Sequence, residues 1–129
     1  MGNINAQGSH VFLDYTAYSR PDENDGEWML ELLERVVDQS SARKVHAHVE
    51  QFDGLVSPNG FAAVVLIDES HVTAHCYSDK GWLAVDCFTC GTTNPDQIAD
   101  EIHRQLLHSI PAIHLQRRER VDRFLHEGE

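Results

Sequence analysis

Apolar positions along this chain change their period several times, and each change marks an element. From Trp28, the residues Met29, Leu32, Leu33, Val36 and Val37 follow the i, i+3, i+4, i+7, i+8 rule of one helical face, which predicts an amphipathic helix to about Ser40. Before it, "HVFLDYTAY" (10–18) alternates as a strand does, and "SRPDENDG" (19–26) is a polar turn. After it, "KVHAHVEQF" (44–52) sets Val45, Ala47 and Val49 against His46, His48 and Glu50, the pattern of a half-buried strand. "DGLVSPNG" (53–60) carries two turn signals. Three β-type runs follow, "FAAVVLID" (61–68), "HVTAHCY" (71–77) and "WLAVDCF" (82–88), with "SDKG" as a hairpin turn between the last two. The stretch 94–110 opens with Asn94 as cap and Pro95 at the first helical position, and Ile98, Ile102, Leu106 and Ile110 recur every four residues: a second helix. "AIHLQRR" (112–118) is a candidate last strand.

Short loops in the middle block imply antiparallel pairing with both helices on one face. The expected fold is a two-layer α+β sandwich, one antiparallel sheet with two helices on one face. A chain of 129 residues is expected to form a single domain, and 41% apolar with 24% charged residues is ordinary for a globular one. A net charge of −11 argues against nucleic acid, because phosphate contacts need clustered Lys and Arg. Arg117, Arg118, Arg120 and Arg123 do cluster, but Glu119 and Asp122 interrupt them, so the stretch reads as a solvated helix face or a subunit contact. No apolar run has the length of a membrane span, and no basic-then-apolar signal opens the chain. Met1-Gly2 is half of a myristoylation signal, and Ala6 breaks the other half. Cys76, Cys87 and Cys90 are an odd set without an export signal, which favours reduced thiols and a cytoplasmic setting.

The chemistry concentrates in "DESHVTAH" (68–75), directly after the most apolar run. A metal is one reading. His71 and His75 share a face on a strand, yet lie roughly 13 Å apart along it, too far for one ion. His46 and His48 are closer but lack an evident third ligand, so no metal is expected. Cys87 and Cys90 form a C-x-x-C at the end of a strand. A redox pair instead opens a helix, and the odd offset here points one thiol to the core and the other outward. A Ser-His hydrolase would use Ser70 and His75, but "ESH" lacks the glycines of a nucleophile elbow. A fourth reading uses Glu69 and Cys90 as well. A serine strained in a turn attacks its preceding carbonyl, and elimination of the resulting ester leaves a pyruvoyl group. That ketone forms a Schiff base with an amine and serves as an electron sink. Such a site needs a base for the elimination, with His75 as candidate, and an acid to reprotonate the carbanion, with Cys90 as candidate.

The segment "GFAAVVLIDESHVTAHCYSDKGWLAVDCFTCG" (60–91) resembles the core of the prokaryotic S-adenosylmethionine decarboxylase proenzymes. The resemblance rests on Glu69-Ser70-His71 at the self-cleavage point, His75 five residues after the serine, and Phe88-Thr89-Cys90-Gly91 with its cysteine twenty after. It implies cleavage between Glu69 and Ser70 into chains 1–69 and 70–129, a pyruvoyl cofactor made from Ser70, His75 in processing and Cys90 as proton donor. It also implies a homodimer stacking helix-sheet layers, with a small-molecule amine substrate near the subunit interface. It implies further a product that supplies aminopropyl groups for spermidine. His71 has a structural alternative, as a flank of the cleavage turn.

Several positions depart from the family pattern. Ala62 stands where a serine assists processing. Tyr77-Ser78-Asp79 replaces W-P-E, and Val56 replaces an aromatic that stacks on adenine. Tyr77 can still stack and Asp79 can still accept from ribose, with Phe61 or Phe52 as replacement for the missing ring. Losing one stacking face costs about 1–3 kcal/mol. A pocket with less aromatic surface and a free carboxylate also fits ornithine or arginine, paired through Asp79. The Ala62 change leaves a third alternative, a processing-deficient paralogue.

Overall fold

Alternation decides which face each strand buries, and periodicity decides which stripe of each helix meets it. The computed structural model describes residues 3–128, so the Met1-Gly2 pair lies outside the described residues. In chain order the elements are β1 (Ile4–Thr16), α1 (Asp25–Asp38), β2 (Lys44–Phe52), β3 (Gly60–Ile67), β4 (Ser70–Tyr77), β5 (Trp82–Cys90), α2 (Pro95–Ser109) and β6 (His114–Glu127). They form one six-stranded sheet in the order β2-β3-β4-β5-β1-β6, antiparallel at every pair. Among the described residues no helix is long and apolar enough to cross a membrane.

The core lies between one face of the sheet and the two helices. Val11, Leu13, Val65, Val72 and Val85 from the strands are sealed from water, as are Met29, Leu33, Ile102 and Leu106 from the helices. Each such aliphatic side chain stabilises the fold by about 1.5–3 kcal/mol relative to exposure. Helix α2 starts where expected: Asn94 Oδ1 accepts from the Asp96 amide at 2.9 Å, and Pro95 takes the first turn. Helix α1 has acidic Asp25 and Glu27 in its first turn and Arg35 in its last, favourable to the helix dipole.

The two-layer α+β expectation holds, with changes at the edges. Val45, expected on the buried face of its strand, is 57% exposed at the sheet edge. The basic run is not a helix face. Arg117 to Arg123 lie within β6, which runs on to Glu127 and pairs with β1 along nearly its whole length. The candidate last strand at 112–118 is thus present, and charges on both faces hid its continuation past Arg118, because an edge strand needs no apolar alternation. Its arginines reach carboxylates instead: Arg117 pairs with Asp14 at 2.7 Å, Arg118 with Asp100 at 2.6 Å, and Arg120 with Asp96.

Among the described residues no helix covers the opposite face of the sheet. His10, Phe12, His71, Thr73, Asp86 and Phe88 lie there half-buried by their neighbours alone.

Candidate active site

The β3–β4 hairpin pairs Ile67 with Ser70, so Asp68 and Glu69 form a two-residue turn. Glu69 has φ 61°, in the left-handed region that glycine favours. A side chain with a Cβ is strained there by roughly 1–2 kcal/mol. Ser70 is not in the turn itself, as the sequence implied, but is the first residue of β4. It is 8% exposed and shares the helix-side parity of Val72, Ala74 and Cys76.

Cys90 closes β5 beside this turn, and its thiol donates to the Glu69 carbonyl at 3.4 Å. Gly8 on β1 sits opposite Cys90 in the sheet. A Cβ at Gly8 would lie 3.2 Å from Cys90 Sγ and 3.1 Å from the Thr89 carbonyl oxygen, so the glycine leaves room for the thiol. Cys87, three residues earlier, faces the core and is fully buried, which pushes its thiol pKa up. The two thiols of C-x-x-C therefore point to opposite faces. The dithiol reading fails on geometry.

His75 is not brought to Ser70. Five residues along an extended strand span about 17 Å, and the odd offset places His75 on the open face. There it sits opposite Ala62 on β3 and Ala84 on β5. His75, Ala62, Phe52 and Tyr77 line a cavity of about 220 Å³. Tyr77 and Asp79 line a neighbouring one of about 390 Å³ with Asn59 and Lys80. Asp79 accepts from Asn59 Nδ2 at 2.8 Å and faces Arg20 at 3.9 Å. Val56 is fully exposed in the loop after β2, and neither cavity includes it. Both rings that could replace it line the smaller cavity, Phe61 as a core residue at 1% exposure and Phe52 as a half-buried one. The expected site residues thus fall into two groups at opposite ends of β4: Glu69, Ser70 and Cys90 at one, His75, Tyr77 and Asp79 at the other.

Other side chains emerge only in three dimensions. His10 Nε2 and Asp86 Oδ1 are 2.9 Å apart on the open face, and Thr73 donates to the other carboxylate oxygen at 3.4 Å. His71 packs against His10 and Phe88, and burial, followed by the neighbouring His10, lowers its pKa and so favours the neutral ring. Polar residues at the outward positions of adjacent strands were the available signal. Asp25 is fully buried at the start of α1 and accepts from Tyr18 Oη at 2.9 Å, Ser78 Oγ at 2.8 Å and Gln51 Nε2 at 3.1 Å. Because Ser78 precedes Asp79, this carboxylate anchors the turn behind the Tyr77 cavities. Among the described residues no three of His, Cys, Asp and Glu are grouped to hold a metal ion, and His46 and His48 stack instead of converging.

The sequence profile of the S-adenosylmethionine decarboxylase family matches residues 9–119. The S-adenosylmethionine decarboxylase proenzyme 2 of Bacillus cereus (strain ZK / E33L) is 34% identical over 92 residues, covering 71% of this chain and 72% of that protein. The S-adenosylmethionine decarboxylase proenzyme of Brevibacillus brevis is also 34% identical over 92 residues, 71% of this chain and 66% of the relative. The crystal structure of the adenosylmethionine decarboxylase from Aquifex aeolicus VF5 superposes with a TM-score of 0.65 at 25% identity, covering 95% of this chain and 91% of that one. Motif, fold and these likenesses converge, and the chain belongs to the S-adenosylmethionine decarboxylase family.

Proposed function

We propose that this chain is a self-processing, pyruvoyl-dependent carboxy-lyase acting on S-adenosylmethionine. The observation that carries the reading is the Cys90 thiol bonded to the Glu69 carbonyl, at a turn where Glu69 is held left-handed. Ser70 Oγ attacks the Glu69 carbonyl carbon, the C–N bond breaks, and an ester replaces the amide with the Ser70 nitrogen freed as an amine. Cys90 Sγ–H polarises that carbonyl as its oxygen gains charge. A base then takes the Ser70 Cα proton and the Glu69 carboxylate leaves, giving a dehydroalanine whose methylene takes up a proton to become an imine. Water hydrolyses the remaining imine, ammonia departs, and chains 1–69 and 70–129 result, the second headed by a ketone.

The base cannot be His75 of the same chain, about 17 Å away on the other face. A homodimer meets the requirement. Two open sheet faces related by a two-fold axis bring the Ser70 end of one chain to the His75 end of the other. Each complete site then draws on both copies. The pyruvoyl group supplies an electrophilic carbonyl that binds the substrate amine and accepts electrons as carbon dioxide leaves. Cys90 returns a proton to the carbon that lost carbon dioxide.

Tyr77 offers a ring face for adenine with Phe52 across the cavity, and Asp79 offers a carboxylate to the ribose hydroxyls. Asp79 already faces Arg20 and Asn59, which disfavours pairing it with the distal cation of ornithine or arginine. The product supplies aminopropyl groups for spermidine. Ala62 supports one second reading, a processing-deficient paralogue, since the residue beside His75 has no hydroxyl.

Intact mass of the purified protein tests the reading, followed on the same sample by carbon dioxide release from S-adenosylmethionine, ornithine and arginine. Two chains split at Ser70 and release from S-adenosylmethionine alone are expected. One uncut, inactive chain would replace the enzyme by the paralogue.

A further inference from the structure

We propose that Arg43 is a positioning residue for self-cleavage, clasping Asp68 so that Glu69 stays in its left-handed conformation until Ser70 attacks. The inference rests on the self-cleavage reading above. Three bonds join the two residues. Arg43 Nε donates to Asp68 Oδ2 and Arg43 Nη2 to Asp68 Oδ1, both at 2.8 Å, and the Asp68 amide donates to the Arg43 carbonyl at 3.1 Å. The planar guanidinium matches the carboxylate fork, so the clasp fixes orientation as well as distance.

The chain is shaped to bring Arg43 there. Pairing of β2 with β3 runs Lys44 to Ile67 and then His46 to Leu66, leaving Val45 as an extra residue. A bulge of this kind bends its strand and re-aims the residues beside it. Here it delivers the residue before β2 to the turn that ends β3.

A non-glycine residue in the left-handed region persists only where its surroundings over-determine it. The Asp68-Glu69 turn contains no glycine. It is held on one side by the Arg43 clasp and on the other by Cys90 on the Glu69 carbonyl, while Ser70 is tied to Ile67. Without the clasp, Asp68 and Glu69 can relax to an unstrained turn, and the carbonyl leaves its attack geometry more often. The Arg43 and Asp68 side chains are 75% and 49% exposed, so the effect is modest. Once the 69–70 bond is cut, both turn residues belong to the end of the first chain and no longer orient a reacting group. The clasp therefore acts on processing and not on turnover.

Newly synthesised proenzyme followed by intact mass gives the processing rate. Arg43→Ala is expected to slow cleavage about fivefold, with Arg43→Lys between it and the wild type. Fully processed Arg43→Ala should match wild-type kcat/KM. Asp68→Asn should slow cleavage as well, and the double variant should be no slower than the worse single. Wild-type cleavage rates in Arg43→Ala, or slowing that multiplies in the double variant, would overturn the inference while leaving self-cleavage intact. A wild-type chain that never cleaves would overturn the self-cleavage reading and this one with it.

Discussion

Ser70 and His75 occupy opposite faces of β4, Ser70 buried toward the helices and His75 exposed on the open side. Five residues of extended chain separate them by about 17 Å, so one chain cannot use both on the same bond. Co-expression tests what this requires. Ser70→Ala and His75→Ala chains should each remain whole when made alone. Made together, the His75→Ala chain should be cut, because its Ser70 meets His75 of the other copy. Mass spectrometry of the mixed dimer distinguishes the two chains, and absence of any cut chain would return the base to the same subunit or to another residue.

Cys90 lies 3.4 Å from the Glu69 carbonyl oxygen. A thiol is a weaker donor than an oxyanion-hole amide, so Cys90→Ala is expected to slow self-cleavage by about tenfold rather than the hundredfold or more of a strong donor. Turnover of whatever is processed should fall further, since the proton donor is gone. Cys87→Ala removes a buried thiol on the other face and should leave both rates near wild type, with loss of stability only. Time-resolved mass and carbon dioxide release separate the two.

Gly8→Ala places a methyl 3.2 Å from Cys90 Sγ and 3.1 Å from the Thr89 carbonyl oxygen. The backbone oxygen yields less readily than the thiol, so the thiol moves. We expect slower processing and a stability loss of about 1–3 kcal/mol, the usual cost of overpacking. Urea denaturation measures the second effect, and an unchanged processing rate would show that Cys90 needs no such clearance.

Alkaline pH probes the buried hydroxyl and thiol behind the Tyr77 turn. Burial, ahead of the effect of Asp25, pushes the Cys76 thiol from its ordinary value of 9.0 up to about 12. Tyr18, which donates to Asp25, is also raised, chiefly by burial. The folded chain thus holds protons that the unfolded chain releases first. The contribution of these two groups should be constant well below pH 9 and decline as pH rises from 9 toward 12. Denaturant midpoints across that range test the sign, and Cys76→Ala should remove part of the slope.

Much of the architecture was legible because period and burial are coupled locally. The i, i+3, i+4 spacing of Met29, Leu32 and Leu33 and the alternation of β3 to β5 each state which side faces the core. The cleavage motif was legible for a similar reason, since Glu69-Ser70-His71 and Phe88-Thr89-Cys90-Gly91 are contiguous words. The continuation of the last strand past Arg118, through Arg120 and Arg123 to Glu127, was not, because an edge strand with water on both faces carries no apolar signal.

The sequence alone determined the layer arrangement and the residue types at the cleavage point, both being properties of neighbours along the chain. Tertiary structure alone decided how those residues meet. It set Cys90 on the Glu69 carbonyl, opened Gly8 for the thiol, clasped Asp68 with Arg43, and split Ser70 from His75. Strand register decides these relations, and a shift of one residue would reverse every face. That register is fixed by pairing between segments far apart in sequence, such as β1 with β5, which no local pattern can encode.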